Sequence, residues 1–335
     1  MTARCYAETG SGHVVVENDR VRISFWPAQG NNIVELRWLP LDLDILWRNP
    51  QVPGRRTTPL GLPHAGRSEF YDTFRGGWLL SLPAGFYPCD YFGAPIGTLG
   101  EYCQLEWQVS STRCGDGGSI MVRFEVNGVR TPFHVVRELT LAGSSDYFVL
   151  RTCVTNKSNC SLPVACVEHA LFGGRFIEGA SVFSNAAEIE VLNEARPEHA
   201  QLARGISAWP YAREVAGGDR DCRNVPIQGS KAEHLVVLQG WKEPRAGLWN
   251  PRLCLGFQFE WSSSCLSKAW LWAAANSGSH YPLWGRAHVV GIEPANVLPV
   301  PIAGDFESNG LPWIESGESF ETELTGRFTT SPPAS

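Results

Sequence analysis

Apolar residues recur at every second position in short runs along most of the chain, and turn-forming residues separate the runs. A two-residue period is that of a strand with one face buried. Residues 13–17 (HVVVE) and 20–26 (VRISFWP) read as two strands joined by a tight turn at Asn18-Asp19. Ala28–Asn32 is a turn. Strands follow at 32–38 (NIVELRW), 44–50, 101–110 (EYCQLEWQVS), 119–127, 131–141, 146–155 and 162–172 (LPVACVEHALF). Further strands are expected at 234–239, 253–261, 268–275 (KAWLWAAA) and 286–293, with short strands and polar loops over 176–233. The turn ESGESF, Glu315–Phe320, leads into a last alternating strand.

Residues 51–68 and 83–100 are rich in proline and glycine and read as long loops, which in compact domains are functional or disordered. After the first loop, Gly76-Gly77 predicts a close backbone approach or a bulge. No long segment carries a helical period. Many closely spaced strands predict an all-β sandwich or barrel. With no linker in view, a single domain over residues 1–335 is expected, ending in a flexible tail at 329–335.

The 335 residues are 43% hydrophobic and 19% charged, enough to bury a large core. A net charge of −6 argues against nucleic acid, which needs a basic footprint. No apolar run approaches the ~20 residues of a membrane span. The first residues lack the apolar core of a secretory signal, so a cytoplasmic protein is expected. None of the ten cysteines forms a C-x-x-C pair, and reduced thiols are the cytosolic default. Cys166 and His169 have a C-x-x-H spacing, but three positions along a strand fall on opposite faces, so no metal is expected.

The stretch with the most chemical promise is His288–Asn296 (HVVGIEPAN). The apolar run predicts a strand that ends near Glu293, because Pro294 donates no N–H and biases its predecessor towards extended geometry. A carboxylate held at a strand end can be a catalytic group or a solvated surface acid. His169, inside an apolar strand, can be a catalytic imidazole or a hydrogen-bonded core residue. Most of the thirteen tryptophans and sixteen phenylalanines belong in a core, and a minority could line a sugar site. Trp272, Trp284 and Tyr281 are candidates for stacking on a sugar, or for core.

In this order the motifs resemble the galactose mutarotase-like superfamily, the aldose 1-epimerases and their relatives, over roughly residues 20–328. The resemblance rests on Asn32–Trp38, on Arg75–Gly85 (RGGWLLSLPAG), on Glu168–Gly173 (EHALFG), on Gly291–Asn296 (GIEPAN) and on the closing Glu315–Phe320. It implies a β-supersandwich of large antiparallel sheets with a sugar cleft on one concave sheet. It also implies His169 as general acid and Glu293 as general base, exchanging the α and β anomers of a free sugar. Attraction between the two would keep the imidazole protonated, and the chemistry needs no cofactor or metal. One departure stands out: Leu99, in Leu99-Gly100-Glu101, occupies the place of a second, ring-binding histidine.

Candidate substrate-binding residues are Arg67, Asp72, Arg75, Glu101, Trp272, Trp284 and Arg286, with His64 as a stand-in for the missing histidine; Asp305 is a candidate by elimination. The arginines, with Arg175, suggest an anionic or modified sugar, or surface salt bridges. Two other classes stay open. One is a non-catalytic sugar-binding protein. The other is a hydrolase or lyase pairing Glu293 with Glu101 or Asp72, which needs carboxyl groups ~5–9.5 Å apart. A monosaccharide partner is expected, taken by a monomer or a homodimer.

Overall fold

Two antiparallel sheets carry the periodicity read from the sequence. The computed structural model describes residues 2–50, 67–192, 201–279, 281–302, 306–307 and 309–333, without the side chains of residues 67–69. The larger sheet has twelve strands. Eleven run in the order Arg4–Ala7, Val14–Glu17, Val21–Trp26, Asn32–Trp38, Trp78–Ser81, Val167–Phe172, His288–Ala295, Lys268–Ala275, Glu233–Gln239, Glu188–Val191 and Gly205–Ala208, and Leu43–Asp44 pairs with Asn32–Trp38. The second sheet has eight: Ser181–Ser184, Arg245–Asn250, Leu255–Trp261, Ser319–Thr329, Tyr147–Asn156, Phe133–Leu141, Ile120–Asn127 and Gln108–Cys114. This is the expected all-β architecture of large antiparallel sheets. Among the described residues no helix is long and apolar enough to cross a membrane.

The sheets meet through aromatic rings. Trp78 of the larger sheet lies 5.0 Å from Phe259 of the smaller, and Phe172 lies 5.7 Å from Phe257. Such pairs add about 0.5–1.5 kcal/mol each beyond area burial. Ile120–Asn127 alternates buried and half-buried positions, as a strand with one wet face should. The middle of the larger sheet does not alternate. Trp78–Ser81 and Val167–Phe172 are buried at every position, because one face packs on the second sheet and the other is roofed by loops and the short helix Arg67–Thr73.

Four expectations need correction. Residues 101–107 are turns, and the strand begins at Gln108. Glu101 is wholly buried there and accepts the backbone N–H groups of Val129, Arg130 and Thr131 at 3.2, 2.9 and 3.0 Å. Residues 162–172 form two strands, broken where Asn296 inserts its amide: Cys166 N–H donates to Asn296 Oδ1 at 2.8 Å, and Asn296 Nδ2 donates to Val164 O at 3.0 Å. The strand carrying Glu293 does not end there; it runs to Ala295, with Pro294 opposite Ala269. Finally, a helical turn exists at Arg67–Thr73, too short to show a period. Gly76 and Gly77, both at positive φ, are the close approach expected: a Cβ would strike Trp47 O at the first and Ile33 O at the second.

His234 sits on the core side of the larger sheet, 4% exposed, and neither ring nitrogen meets a protein hydrogen-bond partner among the described residues. Burial, with a smaller contribution from Arg220, pushes its pKa down to about 4. The unfolded chain takes up this proton first as pH falls below about 6.5. The stability held by the neutral ring is therefore whole above pH 6.5 and is lost progressively towards pH 4, by about 3 kcal/mol in total. Urea titrations over this range should show that loss in the natural protein and a flatter profile in His234→Leu.

Candidate active site

Register brings the two candidate catalytic residues together. Pairing of Val167 with Ala295 and of Ala170 with Ile292 sets His169 opposite Glu293 across adjacent antiparallel strands. Directly opposite residues point to one face, with Cβ atoms ~4.5–5.5 Å apart. His169 Nε2 lies 3.6 Å from Glu293 Oε2, and the two side chains are 6% and 3% exposed. The Asn296 amide clamps both strands at the neighbouring break, so it holds the register that makes the pair. On the other side of Glu293 stands Trp270, whose Nε1 donates to Val297 O at 2.8 Å.

Strand alternation also explains Gly291. It lies two residues before Glu293 and faces the same side. A Cβ at Gly291 would fall onto Glu293 Oε1 and within 3.0 Å of Leu171 Cδ2. The bare glycine is therefore the seat of the carboxylate. Its φ is not left-handed, so alanine fits the backbone. Gly291→Ala should keep its urea midpoint, yet a carboxylate displaced by about 1 Å can cost ~10²-fold in rate. Activity and midpoint measured on one sample check this split.

The pair sits at the floor of a cleft enclosing about 910 Å³ of empty volume, part of it open to solvent. Its walls are rich in aromatic rings, with Trp47, Phe70, Phe74, Phe86, Trp270 and Trp272 prominent. Phe74 meets the His169 ring edge-on at 6.0 Å. Leu99, 1% exposed and in the left-handed region at φ 60°, forms part of the wall where the sequence suggested a missing histidine.

The remaining candidates divide. Trp272 lines the cleft, with its Nε1 donating to Glu233 Oε1 at 3.0 Å. Asp72 is exposed and accepts from the hydroxyl of Tyr281, a lining residue, at 3.2 Å. Four candidates do not line the cleft. Glu101 is consumed in holding the 129–131 turn. Arg75 stacks 4.5 Å over the Trp26 ring and lines a smaller neighbouring pocket. Trp284 is 54% exposed and Arg286 is exposed, and neither lines the cleft. His64 and Asp305 lie outside the described residues, as does the side chain of Arg67. Among the described residues lining the cleft there is no lysine or arginine, and Glu293 is the one carboxylate.

Sequence reading missed Trp270, Asn49, Phe74 and the roles of Gly291 and Asn296. Same-face spacing in GIE and in WLW could have found Gly291 and Trp270. The others reach the site through contacts distant in sequence, which leave no local signal.

No family model and no curated protein matches the sequence. Solved structures do match. A candidate aldose 1-epimerase from Klebsiella pneumoniae is 15% identical, with 98% of this chain and 83% of that one covered, at a TM-score of 0.72. The Slr1438 protein of Synechocystis is also 15% identical, covering 99% and 100%, at 0.67. A galactose mutarotase-like protein from Lactobacillus casei is 16% identical, covering 95% and 100%, at 0.58. At such identities the likeness establishes the fold, and the fold is galactose mutarotase-like.

Proposed function

We propose that this chain, built on the galactose mutarotase-like fold, interconverts the α and β anomers of a free aldose. The observation that carries the reading is the 3.6 Å pairing of His169 with Glu293 on the floor of an aromatic cleft. The Glu293 carboxylate takes the proton of the C1 hydroxyl while protonated His169 gives one to the ring oxygen. The bond from C1 to the ring oxygen breaks, C1 becomes an aldehyde carbon, and it rotates about its bond to C2. Closure on the other face returns each proton to its donor: the new ring oxygen gives its proton to His169, and Glu293 reprotonates the C1 oxygen. Nothing is consumed. The dry walls strengthen both charge interactions relative to water.

Two alternatives lose ground on the same geometry. Hydrolysis needs a second carboxylate across the bond; Glu101 is bound to the 129–131 turn, and among the described residues lining the cleft Glu293 is the one carboxylate, Asp72 lying outside that lining. An anionic sugar calls for a cationic partner, and among the described residues lining the cleft there is no lysine or arginine. Saturation-transfer NMR on a panel of free aldoses tests the reading: anomeric exchange above the buffer rate, abolished in Glu293→Gln, is expected. Binding without exchange across the panel would favour a sugar-binding protein instead.

A further inference from the structure

The cleft offers more aromatic surface than a bare sugar uses. Phe70 and Phe74 stack with centroids 5.0 Å apart, and Trp47 continues the row 6.4 Å from Phe74. Phe74 touches His169, so the row begins beside the reacting centre. A pyranose ring stacks one or two such faces on its C–H surfaces. Here rings line several sides, and Leu99, Leu171 and Leu235 add aliphatic wall between them.

Among the described residues most of the wall is apolar, and four of its side-chain donors are committed within the protein. Trp270 Nε1 donates to Val297 O, and Trp272 Nε1 to Glu233 Oε1. Asn49 Nδ2 donates to Phe74 O at 2.8 Å, and the Tyr281 hydroxyl donates to Asp72. A site that must satisfy a full ring of hydroxyls would present donors and acceptors aimed inwards. This one concentrates its polarity at His169 and Glu293 and leaves apolar walls around them.

We propose that the substrate is an aldose carrying an aromatic group, as an ether or ester, on a carbon remote from C1. The free C1 end lies at His169 and Glu293, and the aromatic group packs along Phe70, Phe74 and Trp47. This rests on the anomer-exchange reading for the role of the C1 end, but the aromatic subsite is tested separately from it.

The experiment measures Kd by calorimetry for glucose, galactose, glucuronate and the 3-, 4- and 6-O-benzyl ethers of the two hexoses, with anomeric exchange followed on each. At least one benzyl ether should bind ten times or more tighter than its parent. Phe74→Ala and Trp47→Ala, each checked for native near-UV circular dichroism, should reduce that ratio to within about threefold. If one variant fails to fold, the other carries the comparison. Plain hexose or glucuronate binding as tightly as every ether overturns the proposal, as does a ratio that survives both ring substitutions. No binding by any sugar overturns it too. Tighter binding of an ether without exchange on any sugar upholds the subsite and defeats the mutarotase reading. Exchange on plain hexoses without preference for an ether does the reverse.

Discussion

Glu293→Gln and His169→Asn should each lower enzyme-catalysed anomeric exchange by ~10²–10⁴-fold, the range for losing one positioned acid or base. Both replacements keep shape and hydrogen-bonding capacity, so the strands that carry them should keep their register. Glutamine cannot take the C1 proton, and asparagine cannot protonate the ring oxygen. Ring opening needs both transfers, so the two residues act as a unit. Effects of such residues are strongly non-additive. The double variant should therefore lie within about tenfold of the slower single variant, far from the product of the two losses. Saturation transfer on the best sugar of the panel reads all four proteins. Additive losses would mean that the residues act in separate steps. Exchange untouched by either substitution would remove them from the chemistry altogether.

The fold class was legible because the sheet margins alternate. Ile120–Asn127 alternates in burial and Val21–Phe25 alternates in residue type, and the Asn18 turn between the first strands is local: its Oδ1 accepts the backbone N–H groups of Arg20 and Val21, both at 2.8 Å. The centre of the larger sheet was not legible in the same way. VEHALF and KAWLWAAA are apolar on both faces, so the sequence cannot say which face meets the second sheet and which meets the cleft. Glu168 and His169 are neighbours in the chain with opposite fates. Glu168 points into the sandwich, and His169 points into the cleft.

The acid and base were legible through the order of motifs, whereas their setting was not. The Glu101 side chain looked like a site carboxylate because Leu99-Gly100-Glu101 stands where the family resemblance places a ring-binding segment. Its actual partners, the backbone of 129–131 and the Thr131 hydroxyl, are nearly thirty residues away and leave no local signal. Arg75 looked like an anion clamp, but Trp26 claims its guanidinium. Pro294 suggested a strand end. The sheet instead absorbs the missing N–H at the cross-strand position where β pairing towards Val167–Phe172 is interrupted, and Asn296 bridges the separate break at 164–166.

The face opposite the cleft supports the largest expected loss of stability. Arg137 is wholly buried, and its Nη2 donates to Glu168 Oε2 at 2.7 Å. The same carboxylate oxygen accepts from Trp78 Nε1 at 2.7 Å, while Nε and Nη1 of Arg137 meet no partner among the described residues. The pair is thus a charge couple sealed between the sheets, with the guanidinium leaning on one carboxylate. Glu168→Ala leaves that cation buried and uncompensated, which costs about 3–5 kcal/mol. Urea unfolding should show a lower midpoint with an unchanged slope. Replacing both partners by apolar residues, Arg137→Met with Glu168→Leu, removes the charge along with its counter-charge and should recover most of the loss. Trp78 then forfeits an acceptor, so recovery stays incomplete by about 1 kcal/mol, the net worth of one hydrogen bond. If the double variant is as unstable as Glu168→Ala, the cost lies in packing or in the Trp78 bond, and the buried cation is not its source.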